Sequence, residues 1–488
     1  MEANRIRFAA VAASMFTAAI LLAAQRASPD TLGPSLADHP KLRARIEVLD
    51  SWIAERVANH DQPGLSIGIV YDRKLIWAKG YGFSDIGKKT PANTATIYRI
   101  GSISKVFTAI AVMQLRDADL LRLDDPVSEY LPWFKVQNSL PNGWTITIRD
   151  LLTHTSGLPF DAPGVNWNDY TGPSKEEIIV NFPDVEAIFP AGEHMYYSNF
   201  GFWVAGQIVT AVSGEPFTQY MDTHILDPLG MKATDLAPEP STVGLAIGYG
   251  ARSPGNKRKV WAFTDTGFYT PAGDGASTVE DMVRLVSLFM IEGESGTSQV
   301  LQQSTLREMQ GSDGDRTDGA RARGLGLGVR RINDEVWIGN SGDGGGFVAS
   351  FGVAPAIKFG VIVLTNSDDG EAWEYRDKAF QVVGPGIKEA IKFPGEIAVE
   401  RPEWDRYVGK YRWEHWRVDV LVLDGQLTML ELGSQDPWES RVRLAFERQH
   451  TFRMLDVDSM YGELMHFVLD AGGKVTAAQF PSWYALRE

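Results

Sequence analysis

Residues 100–109 read Ile-Gly-Ser-Ile-Ser-Lys-Val-Phe-Thr-Ala and open an apolar run that continues to about Leu115. The run predicts a helix that begins close to Ser102. Lys105 follows three positions later, so the two side chains would share one face of that helix. A serine hydroxyl is a weak nucleophile near neutral pH, and a lysine amine held neutral by burial and nearby positive charge can accept its proton. The same spacing also fits a helix-capping serine followed by a solvated lysine. Other residues of the chain are therefore needed to choose between a catalytic and a structural interpretation.

A second segment, Tyr197-Ser198-Asn199, carries side chains that would complement this pair. A tyrosine whose phenol has a lowered pKa beside a lysine can move protons between nucleophile and leaving group. Asn199 can hydrogen-bond to Lys105 and to the region of a substrate carbonyl. A core tyrosine and a helix-capping asparagine are the alternative interpretation. Tyr196 is a second candidate for the proton carrier, which the Tyr-x-Asn spacing disfavours.

A glycine-rich segment, residues 339–347, lies between two predicted strands. Glycines let a strand edge approach a substrate closely. The backbone N–H of Asp343 is predicted to pair with that of Ser102 as an oxyanion hole. Asn340 and Gly342 are further candidates for binding or supporting the substrate. A flexible turn without function is the alternative.

Composition excludes several classes of function. The chain has 488 residues, no cysteine and a formal net charge of −15. The length allows more than one domain of about 150 residues. The negative charge is the wrong sign for a nucleic-acid surface, and without cysteine there are no disulfides, thiolate metal sites or cysteine nucleophile. No two histidines have zinc-ligand spacing, so neither a metal nor another cofactor is predicted.

The first residues have the pattern of an export signal. Arg5 and Arg7 precede an apolar run over residues 8–24, and small residues follow. Residues 1–27 are therefore predicted to be a signal peptide of an exported protein, periplasmic or secreted. The run is short for a membrane-spanning helix, which needs about 20 residues. An uncleaved N-terminal anchor is the alternative, and no stable membrane insertion is expected once the signal is removed.

The rest of the chain predicts two folded domains. Residues 40–392 begin with an amphipathic helix over 42–57 and a hairpin of strands at 65–71 and 75–80. They end with strands at 335–338, 347–353 and 360–365 and a helix over 371–391 that is broken at Gly384-Pro385-Gly386. The strands near the start and near the end of this domain are therefore predicted to lie in one sheet, which they complete together. After a linker at 393–402, residues 403–488 predict short strands typical of a small β-barrel or sandwich.

Taken together, Ser102-x-x-Lys105, Tyr197-x-Asn199 and the 339–347 segment resemble the serine β-lactamase and penicillin-binding superfamily. The closest likeness is to its class C, family VIII esterase and D-aminopeptidase branch. Further matching segments are Leu151-Leu152-Thr153-His154-Thr155-Ser156-Gly157-Leu158-Pro159, Pro228-Leu229-Gly230-Met231 and Pro271-Ala272-Gly273. The resemblance implies a mixed α/β fold, in which helices flank an antiparallel sheet and a helical subdomain borders a cleft, followed here by a small all-β domain. It also implies that Ser102 is acylated, that Lys105 and Tyr197 transfer its proton and that Asn199 orients them.

One segment departs from the family pattern. Where the family has Lys-Thr-Gly or His-x-Gly, this chain has Asn340-Ser341-Gly342. Asparagine supplies no positive charge for a substrate carboxylate, although Arg330 or Arg331 could. The departure favours a carboxylic ester as substrate, then a peptide or D-amino-acid amide, then a β-lactam. The family includes all three, so the fold cannot choose between them.

Several hypotheses concern the surroundings of this chemistry. The rival function is a penicillin-binding-type protein that forms a stable acyl adduct without turnover, but the three proposed catalytic side chains are all present. Residues 160–179 are expected to supply cleft walls, and His154 to hydrogen-bond the loop that contains it. Residues 403–488 are hypothesised to limit access to the cleft. The partner is a small-molecule or peptide acyl substrate, and the oligomeric state is open.

Overall fold

The computed structural model describes residues 36–136, 144–168, 171–253, 255–263, 267–290, 300–311, 321–332, 335–393, 401–414, 416–434, 436–455 and 462–488. The predicted signal peptide and most of the predicted linker lie outside these ranges. No helix within them combines the length and the apolar character that a membrane span requires.

The helices are numbered in chain order. They are α1 (Pro40–Asn59), α2 (Ser104–Asp117), α3 (Val127–Tyr130), α4 (Ile148–Thr153), α5 (Lys175–Asn181), α6 (Asn199–Ser213), α7 (Phe217–Met221), α8 (Asp227–Leu229), α9 (Thr270–Gly273), α10 (Val279–Leu288), α11 (Gln303–Gln310) and α12 (Ala372–Lys392). The strands before residue 400 are β1 (Gly64–Tyr71), β2 (Lys74–Asp85), β3 (Thr90–Pro91), β4 (Tyr98–Arg99), β5 (Ala276–Ser277), β6 (Arg321–Arg323), β7 (Gly328–Ile332), β8 (Glu335–Asp343), β9 (Val348–Ala354) and β10 (Phe359–Thr365).

Eight of these strands form one antiparallel sheet in the order β3-β2-β1-β10-β9-β8-β7-β6. The central strands β9 and β10 are buried along their whole length, as an apolar strand covered on both faces should be. Strand β1 pairs with β10, so that Leu65 lies opposite Thr365. The two ends of this region therefore complete one sheet, as the sequence predicted.

Helices α1 and α12 cover one face of the sheet and bury an apolar cluster against it. The predicted break in the last helix is wrong, because α12 continues through Pro385. A proline removes one backbone N–H from a helix, but packing holds this helix on both sides of it. Gly386 lies so close to α1 that an added Cβ would be 2.6 Å from Arg45 Cδ. The tertiary contact therefore outweighs the local signal.

The opposite face of the sheet carries the helical region. Helices α2 and α6 lie at its centre, and their apolar side chains belong to the largest buried cluster of the described chain. Strand β8 borders this region and is longer than predicted, since it runs to Asp343 and includes the first half of the glycine-rich segment. Glycine has a weak preference for strands, but pairing with β9 extends the strand through this segment. The turn that follows is confined to Gly344, Gly345 and Gly346, which all have positive φ.

The C-terminal strands close into an eight-stranded barrel. They are β11 (Gly409–Trp413), β12 (Trp416–Leu423), β13 (Gln426–Leu430), β14 (Val442–Arg448), β15 (Thr451–Leu455), β16 (Leu464–Leu469), β17 (Val475–Gln479) and β18 (Tyr484–Arg487). Sequence analysis missed β11 and β18, whose pairing closes the barrel. Each buries a single side chain, Tyr411 and Ala485 respectively, and so shows too little alternation to detect. The predicted fold class, a mixed α/β fold followed by a small all-β domain, is confirmed.

The barrel packs on the face of α1 and α12 that points away from the sheet. Leu423, Leu430 and Leu432 of the barrel join the apolar cluster of these helices. The Arg45 guanidinium lies 3.8 Å from the ring centre of Trp438 and donates to the Val382 carbonyl at 2.9 Å. The barrel is therefore attached to the outside of the sheet, on the side opposite the helical region.

Candidate active site

Ser102 lies in a single 3₁₀ turn, Gly101–Ile103, directly before α2. Gly101 precedes it with φ +50°, a conformation that favours glycine. A Cβ at Gly101 would also lie 2.7 Å from the backbone N of Asp343, so no larger residue fits between this turn and β8. The local sequence thus places the Ser102 hydroxyl at a helix start and against a strand edge.

Lys105, in the first turn of α2, is 1% exposed. Its Nζ lies 2.7 Å from Asn199 Oδ1, 2.6 Å from the Ala272 carbonyl oxygen and 3.1 Å from Ser102 Oγ. The first two partners can only accept hydrogen bonds. A neutral amine has two hydrogens, which these two acceptors occupy, so its lone pair faces the Ser102 hydroxyl.

Electrostatics favour this neutral form. Burial lowers the pKa of the Lys105 amine well below its ordinary value, and the guanidinium of Arg323 lowers it further. The carboxylates of Asp161 and Asp343 act in the opposite direction on the same pKa. A buried amine of lowered pKa beside a hydroxyl can accept a proton at neutral pH, which a solvated lysine cannot.

Tyr197 donates its phenol hydrogen to Ser102 Oγ at 2.8 Å. Its pKa is raised to about 12, chiefly by burial. The predicted lowering of this pKa is therefore wrong, because a neutral Lys105 offers no positive charge and burial disfavours a phenolate. Tyr197 is a protonated hydrogen-bond donor at neutral pH, and the base of the pair is the amine.

Asn199 joins Lys105 to a carboxylate that sequence analysis missed. Its Oδ1 faces Lys105, while its Nδ2 donates to Asp161 Oδ1 at 2.9 Å, and this fixes which end of the amide faces the amine. Asp161 also accepts hydrogen bonds from the Tyr269 phenol at 2.8 Å and from the Trp167 indole. A single aspartate in a loop carries no periodic or motif signal, so only the fold brings it to this site.

His154 is buried and supports the tyrosine segment. Its Nδ1 accepts the backbone N–H of Ser198 at 3.0 Å, and its ring stacks on Tyr197 with centres 4.4 Å apart. Burial lowers the pKa of the imidazole well below its ordinary value, which keeps Nδ1 available as an acceptor. The prediction that His154 hydrogen-bonds its own loop is therefore wrong, because its side chain binds the backbone of the Tyr-Ser-Asn segment instead.

The backbone of β8 supplies the second predicted oxyanion donor. Gly344 and Phe347 exchange both backbone hydrogen bonds, at 3.0 and 3.2 Å. Bonded and non-bonded pairs alternate along an antiparallel ladder, so the N–H of the neighbouring Asp343 points away from β9. It points toward the turn of Ser102, which Gly342 also touches: a Cβ there would lie 2.5 Å from the Ser102 N. Both amides therefore lie where the turn of Ser102 meets β8, and their pairing as an oxyanion hole stays a prediction.

Asn340 has both ends of its amide engaged by backbone. Its Nδ2 lies 3.5 Å from the Ser102 carbonyl oxygen, and its Oδ1 accepts the Ser341 N–H at 3.0 Å. These contacts tie β8 to the turn that holds Ser102. They favour a supporting role over direct substrate binding.

A cation from an unpredicted position lies close to the proposed catalytic groups. The Arg323 guanidinium, on edge strand β6, lies 5.5 Å from the ring centre of Tyr197. Arg330 also lines the cleft and forms an ion pair of 3.6 Å with Asp377. Arg331 is exposed and does not line it. The cleft therefore has positive charge although the family lysine is replaced by Asn340.

These groups open into a cavity of about 630 Å³. Its aromatic lining residues are Phe160, Trp167, Tyr197, Tyr269, Trp337 and Phe380. Phe160 and Trp167 come from the stretch that was expected to supply cleft walls. The hypothesis that residues 403–488 limit access receives no support, because none of their described residues lines the cavity.

The family comparison agrees with this geometry. The Beta-lactamase family matches residues 49–382, which include every group described above. The chain belongs to this family. Members of the Beta-lactamase family are generally serine hydrolases, and the comparison does not distinguish ester from peptide substrates.

The relatives named below have low sequence identity to this chain, and only part of each aligns with it. Protein flp of Staphylococcus aureus is 29% identical over 321 residues, which cover 65% of this chain and 62% of that protein. Beta-lactamase-like protein 2 of Dictyostelium discoideum is 28% identical over 274 residues, 55% of this chain and 49% of that protein. This Beta-lactamase family chain thus matches less than two thirds of the length of these relatives.

Two solved structures share the fold. The octameric penicillin-binding protein homologue from Pyrococcus abyssi aligns with a TM-score of 0.59 and 25% identity, over 91% of this chain and 100% of that one. The Beta-Lactamase/D-Alanine Carboxypeptidase from Pseudomonas syringae aligns with a TM-score of 0.59 and 19% identity, over 70% of this chain and 99% of that one. At 19% identity the second likeness concerns the fold alone.

Proposed function

We propose that the protein is a serine hydrolase that forms an acyl-enzyme on Ser102 and that its preferred substrates are carboxylic esters. The observation that carries the proposal is the pair of contacts to Ser102 Oγ, from Lys105 Nζ at 3.1 Å and from the Tyr197 hydroxyl at 2.8 Å. Lys105 accepts the hydroxyl proton while Oγ attacks the carbonyl carbon. The N–H groups of Ser102 and Asp343 stabilise the oxyanion.

Collapse of the tetrahedral intermediate requires a proton for the leaving group. Tyr197 gives its phenol proton to the departing oxygen, and the Lys105 ammonium returns the proton taken from Ser102 to the phenolate. Water then attacks the acyl-enzyme, gives its proton to the same relay and releases the acid and Ser102. Each half-reaction returns the groups to their starting protonation states, as acid–base catalysis requires.

The raised pKa of Tyr197, about 12, supports esters over amides. An alkoxide is a stronger base than this phenolate, so proton transfer to a departing alcohol is favourable. An amine nitrogen is a weaker base than this phenolate, so its protonation by Tyr197 is unfavourable. General acid catalysis is most efficient when the acid matches the group that it must protonate.

A second candidate, hydrolysis of a D-amino-acid amide or peptide, has one observation in its favour. Arg323 lies 5.5 Å from the Tyr197 ring and could bind a substrate carboxylate, the role for which Asn340 lacks a charge. A peptide substrate presents such a carboxylate, whereas a simple ester does not. Hydrolysis of a β-lactam ranks third.

The test is a comparison of initial rates on ethyl butyrate, p-nitrophenyl butyrate, a D-alanyl anilide and a chromogenic cephalosporin. We expect the esters to have the highest kcat/KM and Ser102→Ala to reduce it by about 10⁴-fold or more. Ser213→Ala is the matched control, because that serine ends α6, donates to the Val209 carbonyl and does not line the cleft. It should keep most of the activity.

Other outcomes are equally informative. Anilide hydrolysis faster than ethyl butyrate hydrolysis would replace the ester proposal with the amide one. Turnover that survives Ser102→Ala would contradict the acyl-enzyme. A stable mass adduct on Ser102 without turnover would identify the non-hydrolytic binding protein.

A further inference from the structure

Strand β8 has a free edge beside Ser102. Among the described strands, it pairs with β7 only from Glu335 to Gly339, whereas Asn340–Asp343 pair with β9 alone. A substrate attached to Ser102 can therefore extend along this edge, until it meets the end of β7 at Gly328.

At that point the two faces of the sheet differ. On the face toward the helical region, Val329 and Ile338 are buried in the core and block further extension of a substrate. On the face toward α12, Gly328 lies opposite Gly339, and Gly339 lies opposite Gly352. A Cβ at Gly328 would have a single neighbour within 4 Å, the Gly339 carbonyl oxygen at 3.1 Å. A Cβ at Gly339 or Gly352 would instead meet the Phe351 carbonyl oxygen at 2.3 Å or the Phe380 ring at 2.8 Å. Gly328 is therefore the position whose missing side chain leaves a passage from the cleft to this second face.

The passage leads into a groove that belongs to the same cavity as Ser102. We call it the far-face groove, and its lining residues are Gly328, Arg330, Trp337, Gly339, Arg376 and Phe380. The rings of Trp337 and Phe380 lie 4.1 Å apart and give it an apolar wall. The Trp337 Nε1 is buried and has no hydrogen-bond partner among the described residues.

The charges of the groove are unbalanced. Arg376 donates to Ser350 Oγ and forms an ion pair of 2.7 Å with Asp377. Arg330 pairs with the same carboxylate at 3.6 Å and keeps 41% of its side chain exposed. Two guanidinium groups thus share one carboxylate, which leaves a net positive charge beside an apolar wall.

We propose that the far-face groove is a second substrate subsite, which binds the distal end of an elongated substrate whose apolar chain ends in a carboxylate. The chain lies along Trp337 and Phe380, and the carboxylate pairs with Arg330. This inference rests on the proposed function and adds the shape and charge of the substrate to it.

The geometry sets the length of such a substrate. Gly339 and Trp337 are four and six residues from Asp343, so at about 3.3 Å per strand residue they lie about 13 and 20 Å from the oxyanion position. A butyryl group cannot reach the groove, whereas a long dicarboxylic chain can. The distal end could belong to the acyl side or to the alcohol side, since both leave the reacting carbon along the cleft.

The experiment compares short and long esters with and without a terminal carboxylate. p-Nitrophenyl butyrate is the short reference. The acyl arm uses the p-nitrophenyl monoester of hexadecanedioic acid and its methyl-capped analogue, and the alcohol arm uses butyrate esters of 16-hydroxyhexadecanoic acid and of hexadecanol. We expect the carboxylated member of one arm to exceed its uncharged analogue in kcat/KM by about threefold to tenfold, the range of a partly exposed ion pair.

Variants of the groove residues test whether the preference for the carboxylated ester arises in the far-face groove. Arg330→Glu should abolish the preference for the carboxylated ester, and Gly328→Val should remove the advantage of the long chain while p-nitrophenyl butyrate is still hydrolysed. Arg331→Glu is the matched control, because this neighbouring arginine is exposed and does not line the cavity. It should leave the preference unchanged.

Failure of this inference differs from failure of the proposed function. Ser102-dependent hydrolysis of p-nitrophenyl butyrate with no preference in either arm would overturn the subsite alone. An equal loss of preference in Arg330→Glu and Arg331→Glu would also overturn it, since surface charge and not the groove would then decide. No Ser102-dependent hydrolysis of the short ester would overturn the proposed function itself.

Discussion

The region that contains Ser102 and the C-terminal barrel bury their side chains in opposite ways. Around Ser102 the fold buries ionisable and polar groups side by side, Lys105, His154 and Asn199 among them. The interior of the barrel is filled by apolar and aromatic side chains such as Phe452 and Phe467, whose ring centres lie 5.7 Å apart.

This difference follows from the free energy of burial. An amine or imidazole loses hydration when it is buried and contributes little to stability in return, whereas a buried phenyl ring stabilises the fold. Because burying Lys105 and His154 contributes little to stability, their burial favours a role in chemistry. Substitutions around Ser102 should therefore change turnover more than stability, and substitutions inside the barrel should do the reverse.

The largest effect is expected for Lys105→Met, which keeps the length of the side chain and removes the base. We expect kcat/KM on p-nitrophenyl butyrate to fall by about 10³-fold to 10⁴-fold, the usual contribution of a general base together with its relay. Circular dichroism should show a folded protein. Activity within tenfold of the wild type would mean that another group takes the Ser102 proton.

A smaller effect, on pH dependence, is expected for Asp161→Asn. In the wild type, activity requires a neutral Lys105, so kcat/KM should fall as the pH drops through its lowered pKa and stay level at alkaline pH, because Tyr197 keeps its proton up to about 12. Asp161 raises the pKa of Lys105, so removing its charge should move the acid limb to lower pH.

The same variant keeps an acceptor for the Asn199 amide, so its plateau activity should change by less than about tenfold, roughly 1.4 kcal/mol. The pH profile of kcat/KM for both proteins is the measurement. An unmoved acid limb would show that Asp161 does not act on Lys105.

The smallest effect on activity is expected inside the barrel. Phe467→Ala removes a fully buried ring and should lower the free energy of unfolding of the barrel by about 3–5 kcal/mol. Phe446→Ala is the control, because that ring is 59% exposed and its loss should cost about 0.5 kcal/mol. Denaturant unfolding measures both, while kcat/KM on the short ester should stay within about twofold, because no described barrel residue lines the cleft. A large loss of activity in Phe467→Ala at a temperature where the barrel is folded would contradict the separation of the two regions.

The elements that could be predicted were those with a local signal. The spacing of Ser102 and Lys105, the Tyr-x-Asn segment and the alternating strands are properties of neighbouring residues, so the sequence shows them directly. Asp161 and Arg323 have no such signal, and they reach the site from a loop and from an edge strand that are far apart in the chain. The pKa of Tyr197 was predicted in the wrong direction, because burial depends on what surrounds the phenol and not on the residues beside it in sequence.

The sequence by itself determined the family, and it predicted the candidate nucleophile and the order of the elements, since these depend on residue types at fixed short spacings. Only the tertiary structure decided that Lys105 is surrounded by two acceptors, that Pro385 does not break α12 and that the barrel lies outside the sheet. Each of these depends on contacts between segments that are far apart in the chain. The physical reason is that burial and packing are summed over the whole fold, whereas a motif is read within one segment.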